Sequence, residues 1–331
     1  MTISYKKCTV VSDACPVEGT VLGYYPNLGS GIFFTVAFGI FLVAAVVLGV
    51  WKKTWTYTAA ITVGLVLETA GYVGRILLNA NPWNSSAFQL QICTIILAPT
   101  FICVSIYLTL KHVALNLSPS LSRLPPRWYP RIFLPADLTC LVVQGVGGGI
   151  AAAAGKDDEK LLRDGDRAII AGIVLQVVVL AVFGILGTDY LLRVKKHIAS
   201  GGSSVTDEER ALWTDGRFRQ FLFAVIGAFG AISIRCIYRI AEMAGGWGNY
   251  IMQDEPSFLV LDSSLVLVTV ALLTIFHPGI FFPQMANGAR NSSSSGGSSS
   301  SSSKRSRAKH HSVEEAAEAS NEGEAKTETS S

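Results

Sequence analysis

The sequence predicts an all-α membrane protein of seven transmembrane helices, with its N-terminus outside and its C-terminus cytosolic. Three observations predict this. Half of the 331 residues are apolar and only 15% are charged, against about a quarter charged in an ordinary soluble domain. From Gly29 to Pro283 the apolar residues gather into long runs separated by short polar gaps. Lys and Arg are shared unequally between the two sets of gaps. The chain divides into an extracytoplasmic N-terminal tail (1–28), a seven-helix body (29–283) and a polar tail (284–331).

A helix needs about 20 mostly apolar residues to cross the hydrocarbon. Seven stretches qualify: 29–51, 55–78, 87–110, 133–154, 168–192, 219–241 and 258–282. Only helices or closed barrels satisfy the backbone in lipid, and these runs are too long for barrel strands. Trp51, Trp55 and Trp128 flank spans, as headgroup-level aromatics do. The first 28 residues lack an apolar core behind a basic start. The first span is therefore expected to export the N-terminus without a cleavable signal peptide. Ala98-Pro99 removes one backbone hydrogen bond from span three and predicts a kink there.

The gaps after spans one, three and five, with the tail, hold eighteen Lys and Arg; the opposite set holds six. The basic side faces the cytosol. The gap after span four runs against this bias, since Lys156, Lys160, Arg163 and Arg167 fall on the outer side. Asn84-Ser85-Ser86 is a glycosylation sequon close to the membrane in an outer loop. Cys8 and Cys15 lie together before span one, and a disulfide between them follows if that tail faces an oxidising compartment. Cys93, Cys103, Cys140 and Cys236 read as small buried thiols within spans. The Ser/Gly tract 292–303, the basic run 304–307 and the acidic end cannot bury a core, so the cytosolic tail is expected to be solvated and disordered. Gly149 to Gly155-Lys156 has the wrong spacing for a phosphate loop and lacks its Ser/Thr.

Charges inside spans are expensive and persist where they pair or face a cavity. Span two carries Glu68, Tyr72 and Arg75 on one stripe, and span six carries Arg235, Arg239 and Glu242 on another. Asp262 opens span seven. All fall at similar depth near the outer side, so three arginines are expected to meet Glu68, Glu242 and Asp262 around an outward-facing polar cavity. A purely structural network is the alternative. Gln91 in span three and Gln144 in span four, seven residues after Asp137, add polar points; Gln176 in span five is another. Asp189 is expected to meet a base in a loop. Gly145 and Gly149 are expected to form the small face on which a neighbouring helix packs.

These motifs, in this order, resemble the fungal lipid-translocating exporter family, seven-span proteins tied to aminocholesterol resistance and to export of sphingoid long-chain bases. The residues that carry the resemblance are Glu68-x-x-Gly71-Tyr72-x-x-Arg75; Gln91 with Ala98-Pro99 and Tyr107; and Asp137 with Gln144-Gly145-x-Gly147-Gly148. Gly172 with Gln176, Arg235-x-x-x-Arg239-x-x-Glu242, and Glu255 seven residues before Asp262 complete it. The paired outer cysteines and Tyr25-Pro26 also fit. It covers about residues 8–283. Between Glu255 and Asp262 this chain has Phe258, Leu259 and Leu261 where the family leads us to expect aromatics. The resemblance implies a protein of the plasma membrane or an internal membrane that moves amphipathic lipids, with stress or drug resistance as the outcome. A receptor or sensor for an amphipathic ligand is the alternative, and porphyrin handling by members leaves the substrate open. The expected partners are the bilayer, membrane lipids and amphipathic small molecules. No catalytic residue, cofactor, metal site or nucleic-acid site is expected. A membrane hydrolase would need a metal set or a Ser–His pair, and only His277 lies near a span.

Overall fold

The computed structural model describes residues 8–154, 159–200, 206–246 and 248–282. The expected polar tail and the Gly155-Lys156 segment lie outside the described residues. The long helices are α1 (Leu28–Lys52), α2 (Trp55–Ala80), α3 (Ser85–Leu117), α4 (Trp128–Ala154), α5 (Glu159–Ala199) and α7 (Gly216–Ala244). Short α6 (Asp207–Thr214) precedes α7, and α8 (Tyr250–Gln253) follows it. The last span is built in pieces: α9 (Glu255–Phe258), a π-helical segment (Leu259–Ser264), α10 (Leu265–Ile275) and α11 (Pro278–Phe281). Among the described residues, seven helical stretches are long and apolar enough to cross a membrane, as the sequence predicts.

α3 is the most buried span and α1 the least. α3 packs against α2, α4 and α7, and so forms the centre of the bundle. α1 leaves Ile32, Val36, Ile40, Val43 and Val47 exposed at helical spacing, a face suited to lipid. Its other face stacks Phe34 and Phe38 on Tyr72 of α2, with ring centroids 5.0 and 5.4 Å apart. Trp51, Trp55 and Trp128 are all exposed. At 41 residues α5 is about 60 Å long, twice the hydrocarbon thickness. It therefore extends well past the predicted 168–192.

Two packing expectations are corrected. Gly145 and Gly149 face open space, and the close contact falls on Gly147, where an added Cβ would lie 2.7 Å from the Ile169 amide nitrogen and 2.8 Å from the Gly165 carbonyl. The small face is offset because the surface that meets α5 is set by the crossing of the two helices. Cys93 is exposed on α3, whereas Cys103, Cys140 and Cys236 are buried.

α6 was not legible as a helix from its apolar pattern. It begins with a capping box in which Thr206 and Glu209 satisfy each other's backbone amides. Glu209 also accepts a 2.7 Å hydrogen bond from Ser118 at the end of α3. That bond holds the Glu209 carboxyl below its ordinary pKa. At the same end Asp189 meets Arg123 at 2.9 Å, the loop base expected of it, and also Arg193 at 2.8 Å.

Candidate functional site

Cys8 and Cys15 are joined by a disulfide, with Cα atoms 5.7 Å apart. The segment they close lies on the α2–α3 turn, where Trp83 Nε1 donates to the Cys15 carbonyl and Asn81 Nδ2 to that of Thr9. Further on, the amide of Asn27 donates to Glu255 at 2.8 Å. The N-terminal segment thus covers one end of the bundle.

Beneath it sits a polar cavity lined by Tyr24, Arg75, Gln91, Arg239 and Glu242, with Leu22 and Met252 among its apolar walls. Its free room is about 20 Å³, about that of one water. Of its lining residues, Gln91, Arg75 and Arg239 have a buried atom (Oε1, Nε and Nη2 respectively) with no hydrogen-bond partner among the described residues.

The charged side chains converge: Asp262 and Glu242 each pair with an arginine, and the third arginine, Arg75, pairs with Glu255 rather than Glu68. Arg75 Nη2 donates to Glu255 at 2.6 Å and to the Tyr24 hydroxyl at 3.1 Å, and its guanidinium lies 4.7 Å from the centre of the Phe258 ring. Glu255 was missed as a partner because it precedes the predicted start of span seven. The α9 turn returns it to the bundle, and its position seven residues before Asp262 was the available signal. Burial holds the Tyr24 phenol above its ordinary pKa, against the opposing pull of Arg75.

Arg235 Nε approaches Asp262 at 2.7 Å, off the line of a good hydrogen bond. Its Nη2 donates to the Ile95 carbonyl at 2.9 Å. Ile95 is four residues before Pro99, so its carbonyl lacks the usual helical donor. The arginine of α7 therefore fills the gap that proline leaves in α3, and α3 continues unbroken through Pro99. Arg239 pairs with Glu242 within α7. Asp262 lies in the π-helical segment, whose wide turn re-aims side chains and is frequent at functional sites.

Glu68 is the residue left over. It is 1% exposed, its Oε1 is buried without a hydrogen-bond partner among the described residues, and the three arginines pair with other carboxylates. Its charged neighbours are Asp262, Arg235 and Arg239, and Tyr72 lies beside it. The expected balance of three bases and three acids becomes three arginines and four carboxylates once Glu255 is counted.

Gln144 does not join this cluster. Its Nε2 donates to Gln176 at 3.1 Å, and Gln176 donates to Thr100 at 3.2 Å, a separate buried ladder between α3, α4 and α5. Asp137, seven residues earlier on α4, accepts from the Tyr107 hydroxyl at 2.7 Å. Gln144 faces α5, where Gly172 admits it closely.

The family model described as RTA1 like protein matches residues 61–285. The chain belongs to the RTA1-like family. The sphingoid long-chain base transporter RSB1 of Saccharomyces cerevisiae (strain Lalvin EC1118) is 32% identical to this RTA1-like chain, over 78% of this chain and 74% of its own. Protoporphyrin uptake protein 1 of S. cerevisiae is 26% identical over 66% and 67% of the two chains. The probable lipid transporter atnI of Emericella nidulans is 22% identical over 79% and 68%. No solved structure matches this RTA1-like chain.

Proposed function

We propose that this RTA1-like protein translocates single-chain amphipathic lipids with a cationic head group, of which a sphingoid long-chain base is the leading candidate. The observation that carries the reading is the buried cluster of Arg75, Arg235, Arg239, Glu68, Glu242 and Asp262 beside a cavity with unsatisfied polar walls. Its likeness to a chain named as a sphingoid long-chain base transporter supports the choice of lipid. Four carboxylates against three arginines favour a cation, and the carboxylates of Glu68, Glu242 or Asp262 would meet its ammonium.

The apolar tail has a place to lie. A groove of about 550 Å³ runs between α5 and α7, lined by Val177, Leu180, Ile185, Phe229 and Ile237. It lies on the opposite face of α7 from Arg235 and Arg239, so a lipid passing from cavity to groove would do so around or along α7. In this reading the N-terminal segment is outside, the chain resides in the plasma membrane, and it raises tolerance to membrane-active amphiphiles without catalysing a reaction.

Sealed vesicles holding the purified full chain test it. Labelled long-chain base is expected to move across them faster than across empty vesicles, and movement at the empty-vesicle rate would overturn the proposal. A sensor reading is favoured by one observation, the Ser118–Glu209 bond that ties the end of α3 to the loop before α7. It predicts capture of a cytosolic protein by that loop only when long-chain base is present, in cells where the base itself does not move.

A further inference from the structure

The three arginines of the cluster each have a carboxylate, in the pairs Arg75–Glu255, Arg235–Asp262 and Arg239–Glu242. Glu68 is the fourth carboxylate; its buried Oε1 has no hydrogen-bond partner, and none of the three arginines pairs with it, among the described residues. Its surroundings give it little choice. On its own helix Tyr72 is its polar neighbour, and Arg75 lies two turns away, engaged by Glu255. From α7 come Arg235 and Arg239, both already paired, and from the π-helical segment comes Asp262, a like charge. The near part of α3 presents Ile95 and Ile102 to the glycines that flank Glu68, and α1 presents Phe34 and Phe38. Neither face brings a compensating charge.

An ionised carboxylate so placed needs a counter-charge, and a proton or a bound cation can each supply it. We infer that Glu68 is an exchange site that holds a proton when the protein is empty and surrenders it when an organic ammonium enters. The step balances: the carboxyl O–H bond breaks, the proton leaves to water, and the carboxylate takes the incoming ammonium as its counter-ion. One positive charge leaves as one arrives, so the exchange is electroneutral and a pH difference across the membrane can drive the amine against its gradient. The unsatisfied Gln91 Oε1, in the cavity that Arg239 also lines, is an acceptor that water carrying the proton or the incoming ammonium can use. This inference rests on the lipid-amine reading above and adds to it an energy source and the residue that couples it.

The test uses the full chain in phosphatidylcholine nanodiscs, a single-chain primary amine of the sphingoid class, and its N-acetylated form as the uncharged control. Over the pH range where the amine stays charged, its affinity is expected to rise about tenfold per pH unit, the slope of a one-proton exchange. The N-acetylated form is expected to show no such slope. The infrared band of a protonated carboxylic acid is expected in the empty protein and lost when amine is added. In E68Q the band is expected to be missing, with amine binding weaker and independent of pH. E68D retains a carboxyl and is expected to keep both the band and the pH slope, so the assignment stays testable if E68Q folds poorly. Amine binding that leaves the band unchanged, or a band that persists in E68Q, overturns the exchange while leaving lipid translocation standing. A wild-type protein that neither binds nor moves the amine overturns both.

Discussion

Arg75 is 1% exposed and is held by Glu255, by the Tyr24 hydroxyl and by the face of the Phe258 ring. Removing the Glu255 charge strands a buried guanidinium, which costs more than the pair itself contributes. Because Glu255 is 18% exposed, water can reach part of the site, and E255Q is expected to lose about 2–3 kcal/mol rather than the full cost of breaking a buried pair. The double variant R75M/E255Q is expected to lose less than E255Q alone. Thermal unfolding in one detergent checks both, and a neutral E255Q would remove this pair from the list of stabilising contacts. That arginines at these positions would be buried and paired was legible in the sequence, since a charge in lipid must find a partner. Which acid each arginine takes was not. Depth along a span can be counted from residue numbers, but rotation about the helix axis and the return of the α9 turn cannot.

At the scale of elements, close approach between helices is decided by a few glycines. A side chain at position 147 would collide with the α5 backbone, whereas one at 149 enters open space. G147L is therefore expected to abolish well-packed protein, and G149L to yield folded protein close to wild type. Size-exclusion profiles and melting temperatures of the two distinguish them, and equal behaviour would refute this packing of α4 on α5. A run of glycines announces that a neighbour comes close, but only the crossing geometry says which one it meets. Pro99 gives the complementary case. The missing helical bond was predictable from the residue alone, while its replacement by Arg235 comes from another helix, 140 residues further along the chain than the Ile95 carbonyl it satisfies. The π-helical turn at Asp262 left no trace in the apolar pattern, because inserting a wide turn changes the phase of a helix without changing its composition.

For the whole molecule, the excess of Lys and Arg in alternate gaps predicts which side each end of the bundle faces. A tag placed after Ser331 is expected to be reached by antibody only in permeabilised cells. The Cys8–Cys15 disulfide is expected to yield to a membrane-impermeant reductant added outside. The reverse pattern would invert the bundle and with it the proposed direction of the cavity. The sequence by itself determined the seven spans, because crossing hydrocarbon imposes a length and an apolarity that any window of residues reveals. It also marked the ionisable side chains that could not face lipid. Only the tertiary structure decided that Glu255 joins them, that Gln144 belongs to a separate ladder, and that Glu68 is left without an arginine of its own among the described residues. Hydrophobicity is a property of each segment taken alone, whereas the pairing of charges depends on how segments far apart in the chain are turned toward one another.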